Sequence, residues 1–184
     1  MDNHHKDVRR IHYLLWVCVA LFIHIPPAYS QVQTPIRSLK EIREQGIVMQ
    51  KWENSCAAAA IATVLTYGFR DPLTERFAAE SMLVNTDPKK VRAEGGFSLL
   101  DLKKFVESRG YTGSAYKGLT FDDLKVFHAP IVPIDTKGYK HYVVFNGSSD
   151  GQVMLADPAF GHLKISVRQF NQIWMNGMAF VVTR

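Results

Sequence analysis

Cysteine is scarce in this sequence of 184 residues, which contains only Cys18 and Cys56. Cys18 lies in an N-terminal segment that we expect to be removed, so the mature chain would keep one thiol and form no internal disulfide. A metal site is not expected, because the one cysteine and three histidines that remain after residue 30 show no ligand spacing. No cofactor is expected either, since the one glycine pair, Gly95 and Gly96, does not follow a strand as a phosphate-binding loop would.

The chain also has little excess charge. Its formal net charge is +5 at pH 7, and the charged residues are spread along the sequence. The first thirty residues contain three basic and two acidic residues, so their removal lowers the net charge from +5 to +4. A charge this small and this scattered argues against nucleic acid as a partner.

A long hydrophobic run is absent as well. Residues 14–23 are apolar, but a run of this length is too short to span a bilayer comfortably. Basic residues precede this run, and Ala28 and Ser30 follow it at the small-residue positions of a cleavage site. This three-part layout predicts a secretory signal peptide over residues 1–30, cleaved after Ser30, and hence a periplasmic or secreted protein. The alternative is an uncleaved N-terminal anchor.

Helical patterns come first in the chain and strand patterns second. Capping patterns at residues 98–101 and 120–123 predict two helix starts, and Asp71 followed by Pro72 predicts another. The prolines in the first strand pattern indicate an edge strand or an irregular course. This order of elements predicts an α+β domain with an antiparallel sheet. The main strand patterns are residues 130–135, 141–146, 152–157 and 178–183.

The stretch from Gln50 to Leu65 predicts a loop that leads into a buried helix, with Cys56 at the junction. The helix is apolar on nearly every side, which is typical of a core helix. Its dipole places partial positive charge at the N-terminus and so favours the thiolate form of Cys56, which is the nucleophile. Gln50 is close enough in sequence for its amide to donate to an oxyanion forming at the sulfur. The alternative is that Cys56 is only a small buried residue.

The next strand pair predicts a β-hairpin with Ser149 and Asp150 at its tip. In that register Asp157 faces Tyr142, and His141 lies on the adjacent strand at the open end of the hairpin. Facing or diagonal side chains at this position can touch. An imidazole beside a carboxylate is the pair of base and orienting group that a cysteine nucleophile needs.

Other interpretations of these residues remain open. His162 is the strongest competing base and His128 a weaker one. His141 could be a surface residue at the start of a strand, and Asp157 with Pro158 could form a strand-ending turn.

These residues together resemble the C39 family of papain-like cysteine peptidases. The matching motifs are Gln50-x5-Cys56 opening an alanine-rich helix, His141-Tyr-Val-Val, and Leu155-Ala-Asp-Pro before a glycine. The resemblance covers about residues 47–184, which leaves residues 31–46 as an N-terminal lead-in. It implies an α+β, papain-like fold in which the nucleophile helix packs on a C-terminal antiparallel sheet. It also implies Cys56 as nucleophile, His141 as base, Asp157 as orienting group and Gln50 as oxyanion donor.

The family is best known as the N-terminal domains of bacteriocin-exporting transporters, which remove leader peptides after a double glycine. Its members often have aspartate just before the cysteine and glycine just after it, where this chain has Ser55 and Ala57. These differences bear on leader specificity more than on catalysis. We therefore expect a stand-alone, exported bacterial cysteine endopeptidase that acts on a peptide or protein and prefers small residues before the cut.

Two other functions fit the same motifs. The first is a non-catalytic module of the C39 type that binds a peptide without cleaving it; the presence of Cys56 argues against it. The second is a cell-wall amidase or transpeptidase with the same cysteine–histidine chemistry, because a fold does not determine its substrate.

Overall fold

The computed structural model describes residues 36–184. The predicted signal peptide, residues 1–30, and its cleavage site lie outside the described residues. Within residues 36–184, no helix combines the length and the apolar character needed to cross a membrane.

The helices lie mainly in the first half of the described chain, as the sequence predicts. Four of them begin with a capping box in which the N-cap and N3 residues bond each other's backbone, and these include the predicted starts at Ser98 and Thr120. The helix that begins at Cys56 continues into a π-helical turn, Val64–Gly68. The helices are α1 (Leu39–Glu44), α2 (Cys56–Thr63), α3 (Glu75–Leu83), α4 (Pro88–Glu94), α5 (Leu99–Ser108), α6 (Phe121–Leu124) and α7 (Val167–Ile173).

The helix start predicted at Asp71 is wrong. The N-cap of α3 is Thr74, whose hydroxyl accepts the N–H of Phe77. The carboxylate of Asp71 instead pairs with Arg109 at 2.7 Å and accepts a hydrogen bond from Tyr111. A long-range ion pair has therefore replaced the local capping role that the Asp-Pro sequence predicts.

The strands form one antiparallel sheet in the order β1-β6-β2-β3-β4-β5. The predicted α+β class with an antiparallel sheet is therefore confirmed. β2 is an interior strand and not an edge strand, but it pairs with β6 only between Ile131 and Phe180, so Pro133 takes no part in the pairing with β6. The strands are β1 (Thr112–Tyr116), β2 (Ile131–Thr136), β3 (Tyr139–Ser149), β4 (Gln152–Asp157), β5 (Gly161–Ser166) and β6 (Ala179–Thr183).

The predicted register of the β3–β4 hairpin is also wrong. Ser149 pairs with Gln152, which places Asp150 and Gly151 at the tip. Both tip residues have positive φ angles, 54° and 72°, as a type I′ turn requires. A β-bulge between Phe145 and Ser148 then shifts the pairing again, so that Val144 faces Ala156 at the open end.

This register has a direct consequence for the site. Continued by one residue, it puts Val143 opposite Asp157. His141 is two residues from Val143, so His141 and Asp157 project from the same face of the sheet. In the predicted register, Asp157 would have shared a face with Tyr142 instead.

The sheet separates two hydrophobic clusters. Val144 and Ala156 belong to the cluster that contains most of the residues of α2. Their strand neighbours Val143 and Leu155 belong to the second cluster, which contains Phe170 of α7. Because successive strand residues point to opposite faces, α2 covers one face of the sheet and α7 the other.

Candidate active site

Cys56 is the first residue of α2, and its side chain is buried at 5% exposure. All eight residues of α2 are buried, so the helix is fixed in the core. No side chain caps its N-terminus, because the hydroxyl of Ser55 bonds elsewhere. The N–H groups of the first turn therefore remain free to stabilise negative charge at or beside the sulfur.

His141 and Asp157 form a buried pair. Nε2 of His141 lies 2.8 Å from Oδ1 of Asp157, and the two side chains are each 2% exposed. The same carboxylate oxygen accepts the backbone N–H groups of Ala159 at 2.7 Å and Phe160 at 3.2 Å. These donors fix the orientation of the carboxylate, which in turn fixes the plane and tautomer of the imidazole.

The other ring nitrogen of His141, Nδ1, is buried and has no hydrogen-bond partner among the described residues. Burial lowers the pKa of His141, but the hydrogen bond to Asp157 and the neighbouring sulfur of Cys56 outweigh burial and raise this pKa to about 9. The imidazole is therefore charged at neutral pH, next to the one cysteine of the described chain. This charge stabilises a thiolate on Cys56.

Two tyrosines border the pair. The ring of Tyr139 stacks on that of His141, with centroids 5.4 Å apart and an interplanar angle of 27°. Burial, together with the nearby sulfur of Cys56 and the carboxylate of Asp101, raises the pKa of Tyr142 to about 12. The ring of Tyr139 covers one face of the imidazole without adding a charge. No sequence motif marks Tyr139, whose only signal is its position two residues before His141 on the same strand.

Gln50 is bonded to the residue that follows Asp157. Its backbone N–H donates to the carbonyl of Pro158 at 2.8 Å. Its side-chain Nε2 donates to the carbonyl of Trp52 at 3.4 Å, and its Oε1 is buried without a partner among the described residues. Because the Nε2 bond is long, the amide can be redirected to a stronger acceptor at little cost.

A cleft of about 200 Å³ opens beside Cys56 and His141. One wall contains Gly95 and Gly96, whose φ angles are 76° and 149°. A Cβ atom at position 96 would lie 3.2 Å from the carbonyl oxygen of Asn54, so glycine lets this wall pack closely against the chain before Cys56. The apolar lining consists of Phe97, Pro133, Tyr142, Met175 and Met178.

A second, larger hollow of about 450 Å³ is lined by α3, α4 and residues 52–55. It contains neither Cys56 nor His141. The smaller cleft is therefore the one of these two that contains both the cysteine and the buried histidine.

The two competing histidines lie elsewhere. Nε2 of His162 bonds the carbonyl oxygen of Gln45 at 2.8 Å on the exposed side of β5. His128 packs near Gly68, at the end of the π-helical turn. The fold thus brings His141 into contact with Asp157, whereas His128 and His162 lie elsewhere. Within residues 36–184, no cluster of three histidine, cysteine, aspartate or glutamate side chains could hold a metal ion.

Glu75 is the buried charged residue that sequence reasoning missed. It lies in the first turn of α3 at 3% exposure, and its Oε1 accepts the N–H of Lys51 at 2.8 Å and a hydrogen bond from the hydroxyl of Ser55. More than twenty residues separate Glu75 from Lys51 in sequence. No local pattern could have indicated this contact.

Both the sequence and the fold of this chain match known proteins. The model of the Peptidase C39 family matches residues 44–184. A relative from Pseudomonas aeruginosa, named probable functional amyloid protease FapD, is 37% identical over 85% of this chain and 68% of its own length.

Two solved structures share the fold. The peptidase domain of Streptococcus ComA, a bifunctional ABC transporter of a quorum-sensing pathway, aligns with a TM-score of 0.63 and 21% identity over 74% of this chain and 96% of its own. A double-glycine-motif protease from an AMS/PCAT transporter, solved with its leader peptide, aligns with a TM-score of 0.61 and 22% identity over 74% of this chain and 89% of its own. The predicted papain-like fold and C39 resemblance are confirmed, and the chain belongs to the peptidase C39 family of cysteine peptidases.

Proposed function

We propose that Cys56, His141, Asp157 and Gln50 are the catalytic residues of this cysteine peptidase. One observation carries the proposal: a buried imidazole bonds a carboxylate through Nε2 while its Nδ1, the other ring nitrogen, has no partner among the described residues. The sulfur of Cys56 is close enough to raise the pKa of that imidazole. A nucleophile, a base and a group that orients the base are the parts that nucleophilic catalysis requires.

The reaction follows from these positions. The thiolate of Cys56 attacks the carbonyl carbon of the scissile amide, and the carbonyl oxygen becomes an oxyanion. Free N–H groups of the first turn of α2 and the amide of Gln50 donate to that oxyanion. The imidazolium of His141 gives its Nδ1 proton to the leaving amine, which departs and leaves a thioester on Cys56. Water then attacks the thioester and gives its proton to His141, so that a carboxylic acid is released and the thiolate of Cys56 and the imidazolium of His141 are restored.

The protein acts after export, on an exported protein or leader peptide. The support is the layout of residues 1–30, with basic residues, a short apolar run and small residues before position 31. The FapD relative is named a functional amyloid protease, which makes proteins of functional amyloids the first substrates to test.

Alanine variants of the mature protein, residues 31–184, test the catalytic roles. Cys56→Ala is expected to abolish cleavage of a peptide substrate. His141→Ala is expected to lower kcat/KM by about 100- to 10,000-fold, the usual contribution of general acid–base catalysis. Steady-state kinetics measures both effects.

His162→Ala and His128→Ala are the matched controls, because each removes an imidazole away from the Cys56 cleft. Each should keep kcat/KM within about threefold of the parent value. A folded His162→Ala protein that loses more activity than His141→Ala would remove His141 from the proposal. Cleavage of peptidoglycan but of no peptide would identify the cell-wall amidase alternative instead.

A further inference from the structure

The chain between the proposed oxyanion donor and the nucleophile has no regular structure. Residues 51–55, here named the nucleophile loop, separate Gln50 from Cys56. Asn54 in this loop has a φ angle of 63°, in the left-handed region that asparagine tolerates better than most residues. The distance between donor and sulfur therefore depends on whatever fixes this loop.

A single carboxylate oxygen fixes both ends of it. Oε1 of Glu75 accepts the backbone N–H of Lys51 at 2.8 Å and lies 3.4 Å from the backbone nitrogen of Trp52. At the other end, the same oxygen accepts a hydrogen bond from the hydroxyl of Ser55. Lys51 directly follows Gln50, and Ser55 directly precedes Cys56.

Among the described residues, the loop supplies every hydrogen bond that this carboxylate accepts. Oε2 of Glu75 is buried and has no hydrogen-bond partner among the described residues. A buried acid with an unsatisfied oxygen is costly for folding. A nearby carboxylate also disfavours a thiolate, so activation of Cys56 does not explain it either.

We propose that Glu75 is a positioning residue that holds Gln50 at the correct distance from Cys56 for oxyanion stabilisation. This inference rests on the proposed function, in which Gln50 donates to the oxyanion. Glu75 does not line the cleft beside Cys56 and His141, so it acts through the loop. Misplacing a catalytic group by about 1 Å can cost about 100-fold in rate, which sets the expected size of the effect.

The test uses Glu75→Ala in the mature protein, residues 31–184, with Glu80→Ala as the matched control. Glu80 lies on the same helix but is exposed, and it forms an ion pair with Arg76. Glu75→Ala removes the acceptor of the loop hydrogen bonds and is expected to lower kcat by about 100-fold while KM changes little. Glu80→Ala should leave both constants unchanged. The rate of alkylation by iodoacetamide should not fall in Glu75→Ala, because that reaction forms no oxyanion.

A double-mutant cycle with Gln50→Ala separates positioning from general stability. If Glu75 acts through Gln50, Glu75→Ala in the Gln50→Ala background should change kcat by less than about twofold. The same large loss in both backgrounds would overturn the inference while leaving the proposed function intact. A Gln50→Ala protein with unchanged kcat would overturn both.

Ser55→Ala provides a second route if Glu75→Ala does not fold. It removes the hydrogen bond from the Ser55 hydroxyl and leaves the carboxylate bonded to the backbone of Lys51. The Ser55→Ala substitution should lower kcat in the parent protein and leave kcat unchanged in the Gln50→Ala background. An undiminished kcat in a folded Ser55→Ala protein counts against the inference.

Discussion

At the scale of single residues, the pair of His141 and Asp157 determines how the site responds to pH. Burial lowers the pKa of His141, and the hydrogen bond to Asp157 together with the sulfur of Cys56 raises it to about 9. The proposed mechanism needs an imidazolium to protonate the leaving amine. We therefore expect kcat/KM to fall as the pH rises through about 9, and a pH profile of peptide cleavage measures this limb.

The raised pKa of His141 also makes the stability of the fold depend on pH. The pKa of His141 is raised above its ordinary value of 6.5, so its contribution is fully present below about pH 6.5 and is lost as the pH rises through about 9. In Cys56→Ala the sulfur no longer raises this pKa, so the imidazole resonances in NMR should titrate at a lower pH than in the parent protein. An unchanged titration in that variant would show that the sulfur does not interact with the ring.

Residues of the site differ in how far the sequence could identify them. Cys56, Gln50, His141 and Asp157 could be named because each belongs to a short motif. Glu75 could not, because its role depends on contacts with residues more than twenty positions away. Asp71 was misinterpreted for the same reason: Arg109 and Tyr111 compete for its carboxylate in the folded chain only.

At the scale of secondary-structure elements, the β3–β4 hairpin shows which features a local sequence pattern does not predict. The alternation of apolar residues predicts both strands, but neither the tip nor the bulge. The tip is Asp150-Gly151 and the bulge lies between Phe145 and Ser148, and each shifts the pairing of the strands. A shift of one residue exchanges the faces of the sheet, so the contact between His141 and Asp157 depends on both features.

Gly147 lies in this bulge with a φ angle of 102°. A Cβ atom there would meet only Met154 at 3.8 Å, so the position has space but an unfavourable backbone for other residues. Gly147→Val is expected to lower the free energy of unfolding by about 1–3 kcal/mol. Urea unfolding measures the change, and peptide cleavage should weaken with it because the register of the hairpin loosens.

Ser148→Ala is the control for this prediction. Ser148 is the next residue of β3, and its φ angle is not positive. Its replacement should alter the free energy of unfolding by less than about 0.5 kcal/mol, as for most surface changes. Equal destabilisation by the two substitutions would show that the bulge does not depend on the backbone freedom of glycine.

At the scale of the whole molecule, the size of the cleft limits the substrate. The space beside Cys56 is about 200 Å³, and rings and thioethers narrow it. We expect cleavage after small residues, with glycine preferred, because a larger side chain would collide with the lining. Profiling the mature protein on a peptide library measures this preference. Bulky residues favoured immediately before the cut would exclude the double-glycine specificity but not the peptidase.

Maturation provides a second test at this scale. Export of the full chain is expected to yield a protein that begins at Gln31, since cleavage is predicted after Ser30. Mass spectrometry of the protein recovered from the periplasm or medium measures the N-terminus. A chain that retains residues 1–30 in the membrane fraction would favour the uncleaved anchor.

The position of β6 within the sheet makes the site depend on contacts between distant parts of the chain. Among the described strands β6 is the last in sequence, yet it lies between β1 and β2. Met175 and Met178, which line the cleft, come just before it. The sheet and this wall of the cleft are therefore completed by non-local pairing, which is the kind of contact that slows folding.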